Sequence, residues 1–169
     1  MKAINAHLTL RELSELSLIA ALMEGSKLAM APLPNIKIIA VLIIITVIFY
    51  GAKAFYPVYV FVLIEGLIYG FGLWFISYLY VWDVLVVVAL LFRKNESALI
   101  WAIIAGLFGL SFGALCAIPY FFIGGPAMVL SYWVSGIPFD LIHCASNFVL
   151  TFLLINPLKK LFLKLRSAY

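Results

Sequence analysis

The chain offers about six stretches of some twenty mainly apolar residues and little sequence between them, which leaves no room for a soluble domain. Hydrophobic residues make up 67% of the 169 and charged residues only 11%, against about 25% charged in soluble domains. An all-α integral membrane protein, one domain over residues 1–169, is the expectation.

The first predicted span covers residues 9–30, where Thr9 and Glu12 form a capping-box pattern. It is the least apolar span, with Glu12, Glu15, Glu24 and Lys27. Its apolar part is too interrupted, and its start too poor in Lys and Arg, for a cleaved signal peptide. Pro32 and Pro34 then break the chain. The second span, 36–50, is nearly pure Ile, Val and Leu and stops at Gly51. The third covers 54–70, with Pro57 tolerable in its first turns. The fourth covers 74–92 and the fifth 97–122; the sixth begins near Pro138 and reaches Asn156 and Pro157.

Six spans put nine of the eleven basic residues on one side: Lys2, Arg11, Lys53, Arg93, Lys94, Lys159, Lys160, Lys164 and Arg166. The positive-inside rule makes that side the cytoplasm and places both termini there. The net charge of +4 reflects this topology; no basic stripe lies outside the membrane flanks to serve nucleic acid. The tail 158–169 is basic and amphipathic, which suits a helix end snorkelling into anionic headgroups or, alternatively, binding a partner. Asn95-Glu96-Ser97 matches a glycosylation acceptor but falls in a predicted cytoplasmic loop.

Enzyme signatures are scarce. His7 lies outside the predicted spans, so a bis-histidine haem within the chain is excluded. Cys116 and Cys144 fall in separate spans without metal or redox spacing. No P-loop, HExxH or GxSxG pattern appears, so ATP-driven work needs a partner. No cofactor and no metal site is expected.

Charges inside a bilayer cost about 2.5–3.5 kcal/mol each at the helix centre on insertion scales, so each needs a reason. Glu24, Lys27, Lys37, Glu65, Asp83 and Asp140 all fall in the predicted outer half or near the midplane, as in a polar pocket opening outward. Asp140, His143 and Asn147 stand at i, i+3 and i+7, on one helical face. They either bind a ligand or hydrogen-bond a neighbouring helix. The same level is rich in aromatics: Tyr69, Trp74, Tyr78, Trp82, Tyr120, Tyr132 and Trp133. An interfacial belt accounts for some of these, but Tyr78 and Trp82 sit deeper than a belt requires. Aromatic walls with a few polar groups suit a flat heteroaromatic ligand. The candidate ligand residues are therefore Glu65, Tyr78, Trp82, Trp133, Asp140, His143 and Asn147.

Two stripes of small residues recur every three or four positions: Ser17, Ala21, Gly25 and Ala29 on the first span, and Ala102, Gly106, Gly109, Gly113 and Ala117 on the fifth. Such stripes let helices approach closely. The second reads as internal packing; the first could equally receive a helix of another subunit.

Nearly the whole chain resembles the substrate-binding S components of energy-coupling factor transporters, the bacterial vitamin importers. The resemblance rests on a short six-span chain, the stripe around Ala21 and Gly25, the Leu33-Pro34-Asn35 turn and the Val62-Leu63-Ile64-Glu65-Gly66 stretch. Above all it rests on Gly136-Ile137-Pro138-Phe139-Asp140-Leu141-Ile142-His143 with Asn147. Two alanines four apart are usual in the family's first span; here Gly25 follows Ala21. The resemblance implies a non-catalytic subunit of the bacterial cell membrane that binds a vitamin from outside and docks through Ser17, Ala21 and Gly25. Its partners would be a membrane scaffold subunit and two cytoplasmic ATPases. The acidic groups with His143 and Asn147 favour a neutral or weakly basic ring, such as hydroxymethylpyrimidine or a pyridoxine-like pyridine, over a polyanion. Two rivals stand beside this: a membrane scaffold or assembly protein without a ligand site, and an intramembrane enzyme using Asp140 and His143 with Ser131 or Ser135.

Overall fold

The computed structural model describes residues 8–33 and 35–167; Lys2, His7 and Pro34 lie outside them. Among the described residues the chain is all-helical, with no strand. The helices are α1 (Leu10–Ala29), α2 (Ile39–Tyr50), α3 (Phe55–Tyr69), α4 (Leu73–Leu91), α5 (Ala98–Ala117) and α6 (Phe121–Ser167), with 3-10 turns Gly51–Ala54 and Ile118–Tyr120. Three continuous helical stretches are long and apolar enough to cross a membrane: Ile39–Tyr69, Leu73–Leu91 and Ala98–Ser167. The first contains α2 and α3, the last α5 and α6. α1 is not among them, since its ionic residues dilute its apolar character. The protein is a membrane protein by this character.

Side-chain contacts fix the helix directions. Glu12 near the start of α1 meets Lys53 just beyond α2, at 2.7 Å, so α1 and α2 run antiparallel. Lys27 and Glu65 pair late in α1 and α3, which therefore run parallel. Arg93, just past α4, donates to the Ile48 carbonyl at 3.2 Å, and Ser77, early in α4, donates to the Cys116 carbonyl at 3.1 Å. Lys159 on α6 reaches the Glu96 carbonyl at 3.5 Å. Direction thus alternates along the chain. It gathers Arg11, Lys53, Arg93, Lys94, Lys159 and Arg166 at what we term the basic end. Lys27, Glu65, Trp74 and Tyr120 stand at the opposite, aromatic end.

α2 is the core. Its side chains from Val41 to Val47 are all buried, and α1, α4, α5 and α6 pack around it. A helix that is apolar all round has no polar face to turn outward, so enclosure by other helices is a natural solution. At its end Gly51 takes φ +61°, and the Arg93 guanidinium lies against the space a Cβ would occupy. The chain turns back into α3 there.

α1 starts as the capping box requires: the Thr9 hydroxyl accepts from the Glu12 N–H at 3.1 Å, and Glu12 Oε2 accepts from the Thr9 N–H at 3.0 Å. The expected bounds of the first four helices hold to within a few residues. The last two differ. α5 ends at Ala117, before the 3-10 turn around Pro119, rather than continuing to 122. The sixth helix neither begins near Pro138 nor ends at Pro157. It runs on from residue 126 to Ser167, after a break at Gly124 and Gly125, where Gly125 has φ +66°. Proline's fixed φ suits a helix, and breaking one in an apolar medium would orphan more backbone groups than the missing N–H does. At about 1.5 Å per residue, residues 126–167 span roughly 60 Å, about twice a hydrocarbon core. The basic tail is packed, not free. The Phe162 ring stacks 5.1 Å from Phe49, and the Arg166 guanidinium lies 4.7 Å from the Tyr50 ring centroid, leaving Lys160 and Lys164 exposed.

Candidate functional site

The site is built where α5 and α6 cross most closely. The small stripe of α5 faces the polar row of α6 in register. A Cβ at Gly106 would meet the Cys144 carbonyl, and one at Gly109 the His143 backbone. One at Gly113 would clash with the Asp140 carboxylate. The internal-packing reading of this stripe holds. The Asp140 carboxylate accepts from the Gly113 N–H at 3.0 Å, and the Asn147 amide donates to the Ala105 carbonyl at 3.3 Å. Two of the three row residues are thus partly spent on joining helices. The third differs: the His143 ring stands 5.0 Å from Phe112, edge to face, and lines two cavities.

Three adjoining cavities open toward the aromatic end, of about 310, 180 and 310 Å³. They share walls, and Phe112 lines all three. The first holds Lys27, Glu65, Tyr69, Trp74, Tyr78, Tyr120 and Tyr132. The second adds Asn35, Lys37, Trp82 and Asn147, and the third Asp140. These volumes sit at the small end of ligand pockets, which suits a one-ring molecule.

The walls are aromatic by construction. Trp74, Tyr78 and Trp82 stack along one face of α4 with centroids 5.2 and 5.7 Å apart, nearly perpendicular. Across the first cavity Tyr120 and Tyr132 lie face to face at 4.2 Å. Trp82 is 3% exposed and enclosed by Phe61, Tyr78, Phe108 and Phe112, so it is a structural ring that offers the cavity an edge. Its Nε1–H is buried without a protein partner, as is Asp140 Oδ2. Buried polar groups ordinarily find partners, so these two at one cavity system point to ligand or water.

Electrostatically the site turns on Lys27. It pairs with Glu65 and lies 4.5 Å from the centre of the Tyr69 ring. Glu24, 6% exposed, lies within hydrogen-bond reach of the Glu65 carboxylate. Lys37 donates to the Met30 carbonyl at 2.7 Å. Counting Glu24, Glu65 and Asp140 against Lys27 and Lys37, three carboxylates face two ammonium groups.

Of the sequence-derived residues, Glu65, Tyr78, Trp82, Asp140, His143 and Asn147 all line the cavities. Trp133 lines none of the three, whereas its neighbour Tyr132 lines two. Asp83 leaves the expected pocket too. Its carboxylate accepts from the Tyr59 hydroxyl at 2.5 Å, between α3 and α4 and outside the three cavities. The Ser135 hydroxyl lines the third cavity but donates to the Tyr132 carbonyl at 2.8 Å, not to His143. Sequence reasoning missed Phe112, one of fourteen phenylalanines, which no spacing singles out.

The stripe on α1 faces outward. Ser17, Ala21, Gly25 and Ala29 are all exposed, and a Cβ at Gly25 would meet nothing within 4 Å. No protein-family model matches the sequence, and no curated protein or solved structure is significantly similar to it.

Proposed function

We propose that the protein is a membrane-embedded binding subunit for a small heteroaromatic solute, with six spans and the basic end, including both termini, at the cytoplasmic face. The observation that carries this is the cavity system at the aromatic end. It is walled by rings of α4 and α5, edged by unpartnered polar atoms of Trp82 and Asp140, and flanked by the Glu65 carboxylate. A neutral or weakly basic ring with hydrogen-bond donors fits it. The rings stack on the ligand's faces, and the carboxylate oxygens accept from its donors. Hydroxymethylpyrimidine and pyridoxine-like pyridines have that chemistry.

The reading extends to partners. With no nucleotide motif of its own, the chain would pass its ligand on through an ATP-driven module, in the manner of the S components that its sequence resembles. A membrane scaffold subunit would lie against the exposed small stripe of α1, and two ATPases would work from the cytoplasm. The Ser17, Ala21 and Gly25 face supports this, because it is free of internal packing.

Mass spectrometry of the purified protein tests the reading: a stoichiometric small aromatic molecule, or saturable binding of hydroxymethylpyrimidine or pyridoxine, is the expected result. Protein that carries nothing and binds neither would favour an assembly role without a ligand. Single cysteines at Gly72, Gly124 and Lys94 test the topology. Labelling from outside is expected at the first two only.

A further inference from the structure

A second polar cavity, of about 570 Å³, lies at the basic end, remote from the ligand site. Three segments build it: Ile48 and Phe49 at the end of α2, the α4–α5 connection from Arg93 to Glu96, and Asn156, Lys159 and Leu163 of α6. Three other cations of this end are engaged elsewhere. Lys53 and Arg11 pair with Glu12 and Glu15, and Arg166 lies on the Phe49 and Tyr50 rings. Among the described residues Arg93, Lys94 and Lys159 have no carboxylate within ion-pair distance, and the side-chain hydrogen bonds of Arg93 and Lys159 go to backbone carbonyls, those of Ile48 and Glu96. Three cations against the single carboxylate of Glu96 leave the cavity with a formal charge of +2 (3 − 1).

The cavity is also two-faced. Asn95 and Asn156 add amides to the cationic side, while Ile48, Phe49 and Leu163 form an apolar wall. Leu91, Phe92 and Leu99 beside it are exposed. Guanidinium and ammonium groups bind phosphate oxygens well, and basic clefts between helices at a cytoplasmic surface suit anionic headgroups. A soluble phosphate would gain nothing from the apolar wall. An acyl chain would.

We propose that this cavity binds the phosphate of an anionic phospholipid, with Arg93, Lys94 and Lys159 on the headgroup and the apolar wall of Ile48, Phe49 and Leu163, with exposed Leu91, Phe92 and Leu99, on its chains. The lipid would tie the α4–α5 connection to α2 and α6. This site stands at the opposite end from the proposed ligand cavity, so either assignment can fail without the other.

Native mass spectrometry of the full chain, titrated with phosphatidylglycerol or phosphatidylcholine, tests the assignment. Phosphatidylglycerol should be retained and phosphatidylcholine not. R93Q/K159Q should weaken retention by roughly 25-fold, about fivefold per cation removed. K160Q/K164Q removes the same charge from exposed positions that do not line the cavity, where solvent screening should hold the change below about twofold. K94Q alone, at an exposed position, should cost about fivefold and serves if the double variant does not fold. Equal losses in the two double variants would reduce the site to diffuse surface charge and overturn the proposal. Equal retention of phosphatidylcholine would do the same, and displacement of the lipid by millimolar inorganic phosphate would make it a site for a soluble anion.

Discussion

Gly109 of α5 and the His143 backbone of α6 are so close that a methyl group at Gly109 would stand 2.7 Å from the His143 carbonyl oxygen. Neither backbone can retreat without moving its helix. Gly109→Ala should therefore push α5 and α6 apart and destabilise the protein by about 1–3 kcal/mol, as overpacking does elsewhere. Thermal unfolding in detergent measures this. Gly136→Ala is the control: a Cβ there meets nothing within 4 Å, so the midpoint should not fall and helix propensity should add up to about 1 kcal/mol.

The Lys27–Glu65 pair predicts an asymmetry. Glu65 is 1% exposed and Glu24 lies beside it, so Lys27→Met leaves two buried carboxylates without their cation. Removing one member of a buried pair costs about 3–5 kcal/mol. Glu65→Gln should cost less, because Lys27 keeps Glu24 and the Tyr69 ring as neighbours. The double variant Lys27→Met/Glu65→Gln should recover part of the Lys27→Met loss. A double-mutant cycle on unfolding midpoints checks the order.

Trp82→Ala should behave as a core mutation. Its ring is enclosed by four others, so truncation should cost about 3–5 kcal/mol of stability. Any loss of ligand binding should accompany a lowered unfolding midpoint. Tyr78→Leu keeps most of the volume and should lower affinity with a smaller effect on the midpoint.

Substitution on the α1 stripe should separate transport from folding. Gly25→Trp or Ala21→Trp places bulk on an exposed face, so stability should stay within about 0.5 kcal/mol. Ligand binding by the isolated chain should persist, while cellular uptake should be abolished through lost helix–helix approach. Loss of binding in these variants would show that the stripe acts within the chain.

Much of this architecture was legible from residues alone, for particular reasons. The apolar runs gave the helices, and Thr9 with Glu12 gave the start of α1. Both the small stripe of α5 and the polar row of α6 could be read from helical spacing. That they face each other could not, because spacing within a helix carries no information on register between helices. Hence the hydrogen bonds of Asp140 to Gly113 and of Asn147 to Ala105 were invisible. Asp83 misled for a related reason. Depth along α4 can be read from sequence, but the side of the helix facing α3 depends on packing. The continuation of α6 through Pro138 and Pro157 was hidden because proline ends helices in water more readily than in an apolar bundle. Phe112 carries no local signal at all; only the meeting of α4, α5 and α6 makes it a common wall.

The most direct test of the ligand site is isothermal titration of wild type and His143→Ala with hydroxymethylpyrimidine and pyridoxine. His143 lines two of the cavities, and its side chain has no protein hydrogen bond among the described residues, so its removal should leave the fold intact. Loss of one buried hydrogen bond, about 1–3 kcal/mol, should weaken binding by roughly 5- to 150-fold, while the lost ring contact with Phe112 should lower stability by no more than about 0.5–1.5 kcal/mol. Unchanged affinity in His143→Ala, where the wild type binds, would contradict the assignment of these cavities as the ligand site.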